Sequence, residues 1–257
     1  MYSRFSIEND PPGEAATPDE LKLRRAYGYP YIAPDRDFLF LRGDAAPFDA
    51  GVDLSSRQPV IAVGSNRAPE QLRRKFGDGP ESEIPVTWGW MHGYDVVYCA
   101  HVAGYGSVPA TLHSSPGTDV RVAVTWLTAA QLERMHETEN VGESYVYGTF
   151  EEAAVDLGSG RPAVPAGCYI TRRGALALDG VPVALTEIEA RNRRFASLAQ
   201  VEKLALLYER HGDRPGLEEW ILSLLGDENH ARRSGLAAAL SESTVAFEDP
   251  RFTVLLG

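Results

Sequence analysis

The sequence predicts an α+β fold, with strands in the middle of the chain and helices towards its C-terminal end. Strand patterns dominate residues 60–180, and one strong helix pattern interrupts them at 128–139. After Val183 the apolar residues recur at helical spacing instead. These changes divide the chain into a partly irregular N-terminal extension (1–58), a β-rich domain (59–183) and an all-helical C-terminal appendage (184–257).

The N-terminal extension contains few regular elements. Residues 1 to about 18 are polar and include two prolines, so we expect a loose arm. A short helix is predicted from Pro18 to about Ala26. One apolar run, Phe38–Leu41, is consistent with either a strand or a clamp against the main body.

The β-rich domain is predicted from apolar and β-branched segments. Asp119–Leu127 alternates cleanly, which is typical of a half-buried strand. The helix at 128–139 begins with a capping box formed by Thr128 and Gln131. The other predicted strands are 60–63, 88–98, 108–113, 144–150 and 167–171.

The appendage is predicted to contain three helices. We expect the first to begin at a capping box of Thr186 and Glu189 and to continue to about His211. The others are predicted at Leu217–Leu225 and Glu228–Leu240. Their apolar stripes are expected to form core, and the appendage is one surface through which a homo-oligomer could form.

Composition restricts the partners and the compartment. With 25 basic and 36 acidic side chains the net charge is −11, which argues against binding to nucleic acid or to an anionic membrane. Cys99 and Cys168 form no CxxC motif and lack histidine neighbours, so no zinc site is expected. There is no signal-peptide pattern and no apolar run of membrane-spanning length, so we expect a cytoplasmic protein.

The segment from Val60 to Pro69 carries the most information about function. An apolar run stops at Gly64-Ser65-Asn66, and a helix pattern begins at Pro69. A strand that passes through a tight turn into a helix leaves backbone N–H groups pointing outward, where they can bind a carboxylate or a phosphate. We therefore expect a small anionic ligand at this turn.

The second informative element is the helix at 128–139. Leu132, Met135 and Glu139 are spaced so that they share one helical face. The carboxylate of Glu139 is therefore predicted to point inward, and burial of a carboxylate tends to raise its pKa towards the range useful for proton transfer. The alternative is a glutamate at a frayed helix end that turns back to water.

Three short segments resemble known functional motifs, but each motif is incomplete. His136-Glu137 lacks the second histidine of a zinc-protease motif, because residue 140 is asparagine. Gly104-Tyr105-Gly106 lacks the third glycine of a dinucleotide fingerprint, and Gly64-Ser65-Asn66 lacks the flanking glycines of a hydrolase nucleophile elbow. The motifs therefore do not support a zinc protease, a dinucleotide-binding site or a hydrolase with a serine nucleophile.

Three segments, in order, resemble the γ-glutamyl cyclotransferase family and its relatives. Val60–Leu72 is similar to the family's substrate loop and the helix that follows it. Val108–Thr128 is similar to a strand pair with a Pro-Gly turn, and Gln131–Val141 is similar to the helix that ends in the catalytic glutamate. Together the resemblance extends over about residues 59–172.

The resemblance implies a small mixed β-barrel with flanking helices over residues 59–183, and Glu139 as general acid and base. In the implied reaction the α-amine of a γ-glutamyl substrate attacks its own γ-carbonyl and releases 5-oxoproline, without metal or cofactor. The implied ligand is a small molecule with a glutamate-like carboxylate. The implied substrate-binding residues are Val63, Gly64, Ser65, Asn66, Tyr145 and Tyr169.

Two positions depart from the family pattern. The loop tyrosine is replaced by Val63, and the glycine after the catalytic glutamate is replaced by Asn140, which still suits a left-handed helix end. Three functions stay open: a cyclotransferase acting on a γ-glutamyl amide or amine, which we favour; an amide hydrolase or tailoring enzyme; and a non-catalytic module for metabolite binding or oligomerisation. Both enzyme interpretations require Glu139 and the 64–66 loop to line one cavity.

Overall fold

A computed structural model describes residues 16–49, 51–158, 161 and 163–257. Within these ranges the chain combines helices with one large sheet, so the α+β class is confirmed. The loose arm expected over residues 1–18 lies almost wholly outside the described residues.

The helices of the described chain are mostly short. They are α1 (Pro18–Tyr27), α2 (Pro69–Phe76), α3 (Ala129–Thr138), α4 (Gln200–His211), α5 (Leu217–Leu222) and α6 (His230–Leu240). The strands are β1 (Phe38–Leu41), β2 (Asp44–Pro47), β3 (Gln58–Ala62), β4 (Ile84–Tyr98), β5 (Ala110–Leu127), β6 (Tyr145–Val155), β7 (Val164–Thr171), β8 (Ala175–Leu178), β9 (Val181–Pro182), β10 (Ala184–Leu185), β11 (Ala190–Arg191), β12 (Ser197–Leu198), β13 (Thr244–Val245) and β14 (Phe252–Leu256). No described helix has the combination of length and apolar character that crossing a membrane would need.

The main sheet is mixed. Its strands follow the order β12-β10-β4-β5-β3-β7-β6-β14, with β1 joined to β4 and β11 joined to β5. β3 runs parallel to β7 and antiparallel to β5. Two backbone hydrogen bonds between Trp90 and Asp156 link the chain beyond β6 back to β4. Among the described residues the strands at the two ends of this order, β12 and β14, do not pair with each other. The small barrel therefore stays a prediction.

Strand β3 is central in this sheet and is covered on both faces. Val60 and Ala62 belong to an apolar cluster that also contains Leu72 of α2 and Met135 of α3. Ile61, which points to the opposite face, belongs to the larger cluster with residues of α1, α4 and α5. The loop after β3 is therefore anchored from two sides.

The Pro-Gly segment at 116–117 forms no turn between separate strands, and that prediction is wrong. β5 is one continuous strand, and it pairs with β4 on both sides of this segment. The register shifts between the pairs His92–Asp119 and Tyr94–Ser114. Gly117 has φ +87°, so the segment is a bulge within a long strand.

The predicted all-helical character of residues 184–257 is also wrong. The chain contributes the strands β10 to β14 there, and α4 begins at Gln200 instead of near Thr186. Residues 184–198 make backbone contacts with β4 and β5, and Arg193 forms an ion pair with the buried Asp95. These tertiary contacts outweigh the local helix signal at Glu189.

The helices α4 to α6 pack on the main body of the protein. Leu204, Trp220 and Leu240 are buried in the same apolar cluster as Leu23 of α1 and the inner residues of the sheet. The second and third predicted helices of this region are confirmed as α5 and α6. The predicted boundaries between the three regions stay a prediction.

Candidate active site

The loop after β3 is a tightly packed turn. It consists of one 3-10 turn, Ser65–Arg67, followed by α2 from Pro69. The first N–H groups of such a turn have no acceptor within it. A Cβ atom on Gly64 would lie 2.2 Å from the hydroxyl oxygen of Tyr29, so glycine is required there. That hydroxyl accepts a hydrogen bond of 2.8 Å from the N–H of Ala110, which fixes the phenol beside the loop.

Helix α3 presents Glu139 at its C-terminal end. The predicted capping box at its start is confirmed, since Thr128 and Gln131 exchange hydrogen bonds of 3.0 and 3.2 Å. Met135 is fully buried on the inward face, and Glu139 is the last residue of the helical turn. Asn140 has φ +53° and ends the helix in the left-handed conformation expected for it.

A three-residue polar cluster joins the loop to the helix. One carboxylate oxygen of Glu139, Oε1, accepts a hydrogen bond of 2.8 Å from Nδ2 of Asn66 and an ion-pair contact from Nζ of Lys75. Lys75 also approaches the sulfur of Met135 at 3.3 Å. The side chain of Glu139 is 14% exposed and that of Lys75 is 6% exposed. Among the described residues Oε2 of Glu139 has no partner, so one oxygen stays available.

This cluster forms part of the wall of a cavity of about 320 Å³. The cavity brings together the end of β3, the loop, the end of α3 and residues of β6 and β7. Glu139 and the 64–66 loop therefore share one cavity, as both enzyme interpretations require. All the predicted site residues line it: Glu139, Val63, Gly64, Ser65, Asn66, Tyr145 and Tyr169.

Two tyrosines of the cavity wall carry protonated hydroxyl groups. Burial raises the pKa of both Tyr145 and Tyr169 well above that of free tyrosine. The hydroxyl of Tyr169 is hydrogen-bonded to Nδ1 of His136 at 2.8 Å. The hydroxyl of Tyr145 lies 3.9 Å from the sulfur of Cys99, which is a buried free thiol.

The cavity residues that were not identified as site residues from the sequence include Tyr29, Lys75, Arg173 and Arg233. Helical spacing could have revealed two of them. Lys75 lies three residues after buried Leu72 in α2, and Arg233 precedes the buried residues Ala237 and Leu240 of α6. Tyr29 and Arg173 lie outside helices and strands, where the sequence gives no such signal.

The cavity has more basic than acidic groups, although the protein has a net charge of −11. Among the described residues its lining includes Lys75, Arg173 and Arg233 against the single acidic residue Glu139. His101 also lines the cavity, and burial with the nearby charge of Arg173 lowers its pKa to about 4. The histidine is therefore neutral at physiological pH. Such a lining suits an anionic ligand. Among the described residues no group of three or more His, Cys, Asp or Glu could hold a metal ion.

Comparisons with known proteins give likenesses only at the level of structure. Neither the comparison with protein families nor that with curated proteins gives a match. A solved γ-glutamyl cyclotransferase is 14% identical, with a TM-score of 0.37 over 70% of this chain and 99% of that one. An uncharacterised human protein is 14% identical, with a TM-score of 0.38 over the same shares. An Arabidopsis thaliana protein is 16% identical, with a TM-score of 0.36 over 47% of this chain and 72% of that one.

Proposed function

We propose that the protein is a γ-glutamyl cyclotransferase-like enzyme that releases 5-oxoproline from a γ-glutamyl amide or amine. The observation that carries this proposal is the position of Glu139. Its Oε1 is held by Asn66 and Lys75, its Oε2 is without a partner among the described residues, and the residue lines the shared cavity. The resemblance of residues 59–172 to the family supports the same assignment.

In the proposed reaction Glu139 takes a proton from the α-ammonium group of the substrate. The freed amine attacks the γ-carbonyl carbon, and a five-membered lactam ring forms as the bond to the leaving nitrogen breaks. Glu139 then returns this proton to the leaving nitrogen. The second proton lost by the attacking nitrogen passes through the same carboxylate to the released amine, so the products are 5-oxoproline and an ammonium ion. The reaction consumes no water and no further reagent. Because both reacting groups belong to one molecule, the enzyme mainly has to select the reactive conformation.

The remaining groups have binding roles in this proposal. Backbone N–H groups of the 64–66 loop hold the α-carboxylate or stabilise the oxyanion that develops on the γ-carbonyl. The ammonium of Lys75 adds a positive charge beside Glu139. The hydroxyl of Tyr145 supplies a further hydrogen-bonding group on the cavity wall and orients the substrate, while Tyr169, whose hydroxyl is bonded to His136, contributes its ring to the same wall.

The direct test compares two glutamates of the same helix. The variants Glu139→Gln and Glu133→Gln are incubated with a panel of γ-glutamyl amides and amines, and 5-oxoproline is quantified by mass spectrometry. Because general acid–base catalysis contributes about 10²–10⁴-fold, Glu139→Gln is expected to lose at least about 100-fold in kcat/KM. Glu133 is exposed and lies outside the cavity, so its variant is expected to keep full activity. Undiminished lactam formation by Glu139→Gln would exclude this residue as the base.

A second candidate function is binding of a glutamate-like metabolite without turnover. The ion pair between Lys75 and Glu139 favours it, because it balances the charge of the carboxylate in the absence of any substrate. Calorimetry with glutamate and 5-oxoproline separates the two functions. Saturable binding without lactam formation from any substrate of the panel would support the binding protein.

A further inference from the structure

A second part of the cavity wall is formed by two arginines. Arg233 is in α6, and Arg173 is in the turn after β7. Arg233 is only 9% exposed, and its Nη1 donates to the carbonyl oxygens of Leu224 and Gly226. These bonds hold one end of the guanidinium and leave Nη2 without a partner among the described residues.

The two arginines flank one short loop. The backbone N–H of Ala100 bonds to the carbonyl of Gly174, which places the start of the loop next to Arg173. At the other end the carbonyl of Gly104 accepts from the N–H of Gly226, and Nη2 of Arg233 lies 3.5 Å from where a Cβ of Gly104 would be. The four residues 101–104 span at most about 14 Å when fully extended. Both arginines therefore line the same cavity, one at each end of this loop.

Neither of these positive charges is balanced within the described chain. Arg173 and Arg233 form no ion pair with a described carboxylate. The other cavity cation, Lys75, is already paired with Glu139. Burying a charge without a partner is costly, so a nine-tenths buried guanidinium beside an open cavity is stabilised when an anion occupies that cavity.

We propose that this region is a subsite for a phosphate group, held by Arg233 and Arg173 and supplemented by the hydroxyl of Ser234. Two guanidinium groups match a dianion with three free oxygens, whereas one guanidinium is enough to bind a carboxylate in bidentate fashion. The ligand is a small phosphomonoester, since a cavity of about 320 Å³ is at the lower end of the ~300–1,000 Å³ typical of small-molecule sites.

The subsite is separate from the acid–base group. No nitrogen of either arginine lies within ion-pair distance of the Glu139 carboxylate, although all three side chains line the same cavity. The assignment of the phosphate to one part of the substrate rests on the proposed function. In that reaction the phosphate is carried by the amine that leaves. A γ-glutamyl derivative of a phosphorylated amine would then be the substrate.

Calorimetry with O-phosphoethanolamine, inorganic phosphate and acetate tests the subsite without requiring turnover. We expect saturable binding of both phosphates, with the ester at least as tight as inorganic phosphate, and binding of acetate at least tenfold weaker. Absence of phosphate binding, equal binding of acetate, or clearly tighter binding of inorganic phosphate would overturn the assignment to a phosphomonoester.

Three variants locate the binding. Arg173→Gln and Arg233→Gln are each expected to weaken binding of O-phosphoethanolamine by at least about tenfold, since each substitution removes a hydrogen-bonded positive charge from the phosphate. Arg232→Gln is the matched control, because Arg232 is also in α6 but pairs with Asp213 outside the cavity. Arg173 is exposed in a turn, so its variant is informative even if the loss of Arg233 disturbs folding. Equal weakening in the control, or none in Arg173→Gln, would contradict the proposal.

The same measurements distinguish this inference from the proposed function. Glu139→Gln is expected to abolish lactam formation and to leave phosphate binding unchanged. If phosphate binds through the two arginines but no γ-glutamyl compound is converted, the proposed reaction fails and the subsite stands. If γ-glutamyl-ethanolamine is converted as efficiently as its O-phosphorylated form, the reaction stands and the assignment of the phosphate to the leaving amine fails.

Discussion

At the scale of single residues, the central feature is the asymmetry of the Glu139 carboxylate. One oxygen is held by Asn66 from the loop and by Lys75 from α2, and the other is without a partner in the described part of the chain. Periodicity placed Glu139 on the inward face of its helix, and the strand-to-helix turn drew attention to the loop. Lys75 was missed because its partner is 64 residues away in the sequence, and a single sequence does not show which buried cation meets which carboxylate.

Removal of the Lys75 ammonium tests this arrangement. Lys75→Met keeps the apolar stem beside Met135 but leaves Glu139 without its cation, so the free energy of unfolding is expected to fall by about 3 kcal/mol. The double variant Lys75→Met with Glu139→Gln removes both charges and is expected to regain part of that loss. Urea denaturation of the four proteins of this cycle measures the coupling. Additive effects of the two substitutions would mean that the contact contributes nothing to stability.

At the scale of elements, the site depends on where two segments end. β3 ends at Ala62 in the middle of the sheet, and α3 ends at Thr138, directly before Glu139 and the left-handed residue Asn140. Strand propensity and the proline at the start of α2 made the end of β3 predictable, and Asn140 suited the end of α3. The long β5 strand and the late start of α4 were not predictable in this way, because pairing with β4 and β5 overrides the local turn and capping signals.

The helix end at Asn140 can be tested by two substitutions. Alanine at φ +53° loses the side-chain hydrogen bonds to Glu143 and Ser144 and adopts an unfavourable backbone conformation, so Asn140→Ala is expected to lower the free energy of unfolding by about 1–2 kcal/mol. Asn140→Gly adopts this conformation without strain and is expected to stay close to the unsubstituted protein. Denaturant titration measures both. A larger decrease in the free energy of unfolding for Asn140→Gly than for Asn140→Ala would contradict the claim that the left-handed conformation of residue 140 stabilises this helix end.

At the scale of the whole molecule, the cavity is built from distant parts of the chain. Tyr29 comes from the N-terminal extension, Glu139 from the β-rich domain and Arg233 from the C-terminal helices. The sequence indicated these three regions by composition and periodicity, and the α+β class followed from that. It did not indicate which residues of the outer two regions line the site, because those contacts join segments more than 90 residues from Glu139 along the chain.

The pH dependence of stability reports on the burial of His101. Its pKa is lowered to about 4 in the folded protein, against 6.5 when unperturbed. As the pH falls from about 6.5 to about 4, the unfolded chain binds a proton that the folded chain does not, so the free energy of unfolding decreases by up to about 3 kcal/mol. Above pH 6.5 this contribution is constant. Urea denaturation across this range is expected to show a flatter profile for His101→Gln than for His211→Gln, a histidine outside the cavity. Identical profiles would contradict the burial of His101.

The most direct test of the proposed reaction is the identity of its product in water enriched in the heavy oxygen isotope. Intramolecular attack by the α-amine uses no water, so the account predicts unlabelled 5-oxoproline together with the released amine, and loss of both in Glu139→Gln. Hydrolysis at the same site would give linear glutamate with the heavy isotope in its γ-carboxylate. Labelled glutamate as the Glu139-dependent product would contradict the central claim that this cavity closes a γ-glutamyl group into a lactam.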